Sequence, residues 1–408
     1  MDRGDRRTPL RAARALSGVL ALGLLTACGA GEVTTADPGP TPSASPSASP
    51  GAPDRTHGRV VDSEPFDGQI ALDAATNTYV TYRQVGVREE EVVSSAVVSV
   101  PDDREAPEGG WPVLVWSHGS TGIADRCAPS GFERDPGDTG ERPGDMRQDF
   151  LRAGYAVVQP DYEGLGTPGT HPYMIGPSAG RSVLDAALAA REVDDSIGDA
   201  VTVAGHSQGA HATLWAAGLA ADYAPEIDLR GAAAIAPPTG LAEQLPDVGS
   251  VLGPGGIAVL LVGARERDPA VRPGELLQPV AARLLDDVRS ECFDDLDRPD
   301  SFGGLDTVDT LRPGADLSAA LAVLEESDPA TLEIAVPVLV VQGRQDFVTP
   351  AEFTDRLVEA LRGRGTDVTY AELPDDDHSS VLETGAADVD AFVRGVLDPP
   401  LPRPEPSL

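Results

Sequence analysis

Apolar and polar positions follow two different rhythms along this 408-residue chain, and each change of rhythm marks an element. β-Branched and aromatic residues dominate 78–84 and 92–100, the composition of two antiparallel strands. Pro112-Val-Leu-Val-Trp-Ser117 is almost continuously apolar, as a strand buried on both faces must be, and closes on His118-Gly119-Ser120-Thr121-Gly122. Helical and strand patterns then take turns: helix 145–153, strand 155–160, helix 178–193, strand 200–204, helix 208–222 and strand 231–236. After a gap come strand 336–342, helix 350–363, strand 367–373 and helix 380–397. This alternation predicts an α/β fold, a mostly parallel sheet covered by helices on both faces. In such sheets chemistry sits at the carboxyl ends of the strands.

One seam between the rhythms stands out. Residues 201–218 read VTVAGHSQGAHATLWAAG, strand-like before Gly205 and Ala-rich helix after Gly209, with His206 and Ser207 between. So tight a turn requires that the positions two before and two after its apex carry no side chain, and both are glycine. Ser207 is therefore a candidate nucleophile on a strand-to-helix elbow.

An active serine needs a base and an acid that orients the base. Of six histidines, His57 falls in a proline-rich stretch, His118 closes an early strand, His171 lies in the loop DYEGLGTPGTHPY, and His206 and His211 flank the elbow. His378 alone lies downstream on the far side of the sheet, just past the strand ending ELPDDD. Asp346 follows the strand VPVLVVQ after the short loop GRQ, whereas Asp375, Asp376 and Asp377 are too close along the chain to reach the His378 ring. The order Ser207, Asp346, His378 is that of the α/β-hydrolase fold. An oxyanion formed by Ser207 attack needs preorganised donors. The amide of Gln208, first in the helix after the elbow, is one candidate; the amide of Ser120 or Thr121, in the HGSTG turn, is the other.

Composition narrows the picture. At 41% hydrophobic the chain can bury one large core, and its formal net charge of -35, with arginine as the sole strong base, excludes nucleic acid as a partner. Five arginines precede the apolar run ALSGVLALGLL at residues 15–25, too short to span a bilayer, so residues 1–28 read as a signal peptide. It ends Leu25-Thr26-Ala27-Cys28, which resembles a bacterial lipobox; the alternative is an ordinary signal with a chance cysteine. The Pro/Ser/Ala-rich residues 29–57 read as a stalk, 58–400 as the folded body and 401–408 as a Pro-rich tail. The expected product is an exported protein, touching the membrane only through a lipid on Cys28. Cys127 and Cys292 remain and are expected to pair in an oxidising compartment; no metal site or cofactor is expected.

The stretches HGSTG, QPDYEGLGTPGTHPYMIGPSAGRSVLDAALAAR, AGHSQGAHATLWAA, VLVVQGRQDFVTP and LPDDDHSS together resemble the secretory lipase family, over roughly residues 75–397. The resemblance implies an α/β-hydrolase with a helical cap, here about 238–333, between the sixth and seventh core strands. It implies hydrolysis of carboxylic esters, with a lipid or small ester as substrate, and places Ser207, Asp346 and His378 in the triad. In the family the DYEGLG stretch is a structural loop at the rim of the site. Within the cap, 255–266 and 276–288 read as helices, and Ile257–Val262, apolar all round, reads as a buried helix or as a wall for an acyl chain. Two other readings stay open: a peptidase on the same fold, and a surface lipoprotein that only binds.

Overall fold

The computed structural model describes residues 56–101, 105–132, 145–246 and 253–397. The signal peptide, Cys28, almost all of the stalk and the tail lie outside these residues. Within them the chain builds one nine-stranded sheet in the order β1-β2-β3-β5-β4-β6-β7-β8-β9. β1 (Val60–Pro65), β2 (Thr76–Val85) and β3 (Glu91–Val100) form an antiparallel meander, joined through β3 to β5 (Ala156–Pro160). From β5 onward every pairing is parallel, through β4 (Trp111–Ser117), β6 (Ile197–His206), β7 (Asp228–Ile235), β8 (Val338–Gly343) and β9 (Val368–Leu373).

Burial explains the two regimes. β5 and β8 are buried at every position because helices cover both faces, which favours a nearly continuous apolar run, broken in each by one hydrogen-bonded glutamine, Gln159 and Gln342. β1, exposed at five of its six positions, carries Asp62, Ser63 and Glu64 and has no such signature, and the sequence pattern does not reveal it. One face of the sheet is packed by α2 (Gly176–Val193), α3 (Gln208–Tyr223) and the helix Ala351–Gly363, the other by α1 (Met146–Arg152) and the helix Ala386–Gly395. A third apolar cluster takes in Val87, Ile123, Tyr173, Met174 and Ile175 from the body but lies mostly in the cap, between β7 and β8. These are the sixth and seventh strands expected from the sequence, renumbered by β1.

Three expectations need correction. His57 is not stalk: its Nδ1 lies 2.7 Å from the buried Asp185 carboxylate and its ring stacks on Tyr223 at 4.2 Å, so the body begins before residue 58. The helix expected at 276–288 is three short ones, Pro273–Leu276, Pro279–Ala282 and Leu285–Ser290. Pro279 has no amide to continue a helix, and the Gln278 amide turns instead to the Thr310 carbonyl, 2.9 Å away. The final helix is likewise divided, into Val381–Thr384 and Ala386–Gly395, at Gly385, where a Cβ would meet the Val381 carbonyl oxygen at 2.7 Å. Among the described residues no helix is long and apolar enough to cross a membrane, and no group of acidic, His or Cys side chains could hold a metal ion.

Candidate active site

Ser207 stands at the junction of β6 and α3 with φ 55° and ψ -121°, a left-handed conformation costly for a residue with a Cβ. The flanking glycines are what make it possible. A Cβ at Gly209 would lie 1.9 Å from the Ser117 carbonyl oxygen, and one at Gly205 would lie 2.5 Å from the Gly209 backbone. The Ser207 amide still donates to the Ile235 carbonyl (2.9 Å), so the elbow is pinned to the sheet while its side chain is lifted out of it.

His378 arrives from the loop after β9. Its Nε2 lies 3.0 Å from Ser207 Oγ and its Nδ1 2.8 Å from Asp346 Oδ2. A carboxylate only accepts, so Nδ1 carries the proton and Nε2 offers its lone pair to the serine hydroxyl. Asp346, after β8, is held on every side. Its Oδ1 accepts from the amides of Val348 and Thr349, both at 2.8 Å; its Oδ2 also accepts from the Thr349 hydroxyl (2.8 Å) and from Gln342 Nε2 (3.2 Å). Burial pushes this carboxyl upward, but these bonds and the one from His378 outweigh it and hold Asp346 below the usual range. Three residues from three strand ends thus form one hydrogen-bonded chain.

The neighbouring histidines take other parts. His206 Nε2 donates to the backbone carbonyl of His378 (2.8 Å), bracing the loop that carries that ring; burial, helped by the nearby His378, lowers its own pKa to about 4. His211, on α3, is buried with Nε2 on the Ser327 carbonyl (2.8 Å) and is not within reach of the Ser207 hydroxyl. His118 Nδ1 bonds the Gly119 carbonyl (2.6 Å), and His171 Nε2 meets Gln208 Nε2 (2.7 Å); burial lowers both to about 4.

Both expected oxyanion elements are adjacent to the serine. The Gln208 amide opens α3, where no intrahelical acceptor exists for it. In the HGSTG turn a Cβ on Gly119 would sit 3.8 Å from Ser207 Cβ, which places Gly119 and Ser120 against the elbow. Ser120 lines the cleft, whereas Thr121 does not: its carbonyl is turned to the Phe293 amide (3.0 Å) and its hydroxyl is buried without a partner.

The cleft over these groups has a volume of about 590 Å³. Its floor is Ser207, His378 and Gly119; much of its wall is apolar, with Met174, Leu241, Leu260, Phe293, Val348 and Phe353. Leu260 belongs to the run Ile257–Val262, buried throughout inside the cap helix Gly253–Arg267, so that run is both cap core and, through Leu260, cleft wall. Cys127 and Cys292 are disulfide-bonded, and beside them Gly122 pairs with Cys292 as an isolated bridge, fastening the cap to the loop after β4. Sequence reasoning did not single out Gln342, Thr349 or Tyr173. The signal was present in VVQGRQDFVTP and GTHPY, but neutral polar residues declare a role only once their partners are known.

A model of the secretory lipase family matches residues 146–391. The chain belongs to the secretory lipase family. It is 29% identical over 183 residues to lipase A of Moesziomyces aphidis, covering 43% of this chain and 38% of that protein. It is 28% identical over 311 residues, 72% of this chain and 68% of the relative, to a Mycobacterium tuberculosis protein named "Probable inactive lipase". Among solved structures, Candida antarctica lipase A in its closed state superposes with a TM-score of 0.70 at 22% identity, covering 85% of this chain and 83% of that one. That likeness concerns the fold, an α/β-hydrolase sheet with a cap.

Proposed function

We propose that this member of the family is an exported hydrolase of carboxylic esters, acting on lipid or comparably apolar esters. The carrying observation is the unbroken chain from Ser207 Oγ through His378 to Asp346, 3.0 and 2.8 Å, at the floor of an apolar-walled cleft. Ser207 Oγ attacks the ester carbonyl as His378 Nε2 takes its proton; Asp346 keeps the imidazole in the required tautomer and stabilises the imidazolium. The amides of Gln208 and Ser120 receive the oxyanion. His378 then protonates the departing alcohol, and a water activated by the same nitrogen releases the acid. The apolar side chains of Leu260, Met174 and Phe353 suit an acyl chain. Fixation through Cys28 at the outer face of a membrane, as the lipobox suggests, would keep such an enzyme near lipid.

A non-catalytic reading has one specific observation in its favour, the name given to the Mycobacterium tuberculosis relative. The intact hydrogen-bonded chain supports the catalytic one. Assay of the full chain on p-nitrophenyl esters of two to sixteen carbons, with an amide analogue beside them, separates the readings. Ester turnover that labels Ser207 with a fluorophosphonate is expected. No turnover of any ester, or faster amide than ester cleavage, would overturn the proposal.

A further inference from the structure

The loop from Asp161 to Met174 lines the cleft with Tyr173 and Met174, and its polar side chains take no part in the proton transfers just described. We infer that His171 and Tyr173 on this loop are positioning residues, a brace that fixes the separation of the two oxyanion amides. The inference rests on the ester-hydrolase reading and deepens it.

The problem the brace solves follows from the topology. The two amides come from different strands, Ser120 from the turn after β4 and Gln208 from the start of α3 after β6. The β4–β6 pairing, with Ser117 opposite Gly205, brings the two turns together, but Ser120 lies three residues beyond that register, and an oxyanion hole works only when both donors meet the same oxygen. His171 and Tyr173 connect the two. Gln208 is 1% exposed, and its side-chain Nε2 lies 2.7 Å from His171 Nε2. An amide nitrogen can only donate, so His171 Nε2 must carry the lone pair; His171 Nδ1 then donates to the Glu163 carbonyl at 2.8 Å. The tautomer is fixed from both ends. Two residues on, the Tyr173 hydroxyl lies 2.7 Å from Ser120 Oγ. The pair is itself rigid, since the Tyr173 amide donates to the His171 carbonyl (2.9 Å).

Three further observations support the assignment. The Tyr162 hydroxyl donates to the His118 carbonyl (2.8 Å), so the same loop also holds the chain just before Ser120. The cap helix presses on Tyr173 at Gly263, where a Cβ would come within 2.4 Å of the Tyr173 carbonyl oxygen. Finally, Gln208 Oε1 is buried with no partner among the described residues. Here the orientation of the amide is dictated by the bond to His171.

The test compares variants of the full chain on p-nitrophenyl butyrate and on an alkyl trifluoromethyl ketone, which Ser207 converts reversibly to a hemiketal oxyanion. Tyr173→Phe removes only the hydroxyl. His171→Leu removes the acceptor, and His171→Gln restores it through Oε1. Tyr173→Phe and His171→Leu are expected to lower kcat about tenfold with KM within twofold, and to weaken the ketone by the same factor, while His171→Gln stays within threefold of the parent. That pattern separates positioning from packing, which would act on thermal stability and leave kcat and ketone affinity of the folded fraction alone. Unchanged kcat and ketone affinity in Tyr173→Phe would overturn the brace even were His171→Leu unable to fold. If the parent chain shows no turnover that depends on Ser207, the hydrolase reading falls first and the brace with it.

Discussion

On the sheet side of the cleft, Ser207, Asp346 and His378 each follow a strand whose neighbours fix it by parallel pairing, and each is reached within a few residues of the strand end. On the cap side, between β7 and β8, one 15-residue helix is surrounded by segments of three to nine residues, and the cap has its own apolar cluster. The first region is positioned by backbone hydrogen bonds, the second by side-chain packing and a crosslink. Rigid strands tolerate a strained residue such as Ser207 because the ladder around it over-determines its place. Short helices joined by Pro and Gly cannot do this, so the cap supplies a wall rather than reacting groups.

The largest way to test that contrast is chemical. His378→Ala and Ser207→Ala should each lower ester turnover by at least about a thousandfold, and by no more in combination than singly, because the triad acts as a unit. His211→Ala should leave turnover within about tenfold, since its ring points to the Ser327 carbonyl rather than the serine, although removal of a buried hydrogen-bonded ring should cost stability. Steady-state kinetics on the three single variants and the double variant decide the matter; a thousandfold loss in His211→Ala alone would reassign the base.

How much of this was readable in advance follows the same division. β4, β5 and β8 announce themselves because burial on both faces favours nearly continuous apolar text, and the elbow because Gly205 and Gly209 face the backbone where no Cβ fits. Chain order points to Asp346 and His378, and parallel topology converts that order into spatial order beside Ser207. β1 escaped because an exposed edge strand can carry Asp62 and Glu64. The division of residues 276–288 escaped because the apolar spacing is helical, and only the Gln278 bond to Thr310, far away in sequence, shows that Pro279 starts a new helix. The Asp346 bonds to Gln342 and Thr349 escaped for a similar reason, since Gln and Thr have many ordinary uses.

Acid offers a second break, because four histidines, His118, His171, His206 and His211, lie buried or half-buried on the sheet side. Burial lowers His118, His171 and His206 to about 4 and also lowers His211, whereas the unfolded chain titrates near 6.5. Between pH 6.5 and 4 the unfolded state therefore binds more protons, and stability present above pH 6.5 is lost as the pH falls. Burial raises Asp161 to about 6 and raises Glu163, which works the other way over part of the same window, since the folded state takes up those protons first. Four bases against two acids leave a net loss of stability as the pH falls. Urea midpoints at pH 7.5, 5.5 and 4.5 should fall in that order; a flat or rising series would show that the histidines are not held neutral by burial.

The crosslink gives the smallest effect and the one confined to the cap. Cys127 and Cys292 are 165 residues apart, and their bond joins the loop after β4 to the segment that presents Phe293 to the cleft. Constraining so long a loop in the unfolded chain is worth about 2–4 kcal/mol. Arg126 adds ion pairs to Glu291 (2.7 Å) and Asp295 across the same junction, but its side chain is 55% exposed, so these are worth about 1 kcal/mol or less and fade in salt. Cys127→Ala and Cys292→Ala should therefore lower thermal stability by similar amounts, each more than Arg126→Gln does, and only the Arg126→Gln difference should shrink in 0.5 M NaCl. Because Phe293 also bonds Thr121 through its amide, loss of the disulfide should loosen the wall before the floor: hydrogen exchange should rise first around residues 285–305, with the β6 and β8 amides unchanged. Free-thiol titration of the denatured, unreduced protein, with Cys28 replaced, should find no reactive thiol. Two reactive thiols in protein recovered from an oxidising compartment would mean that packing alone holds the cap, and the stability difference between the cysteine variants and Arg126→Gln would then disappear.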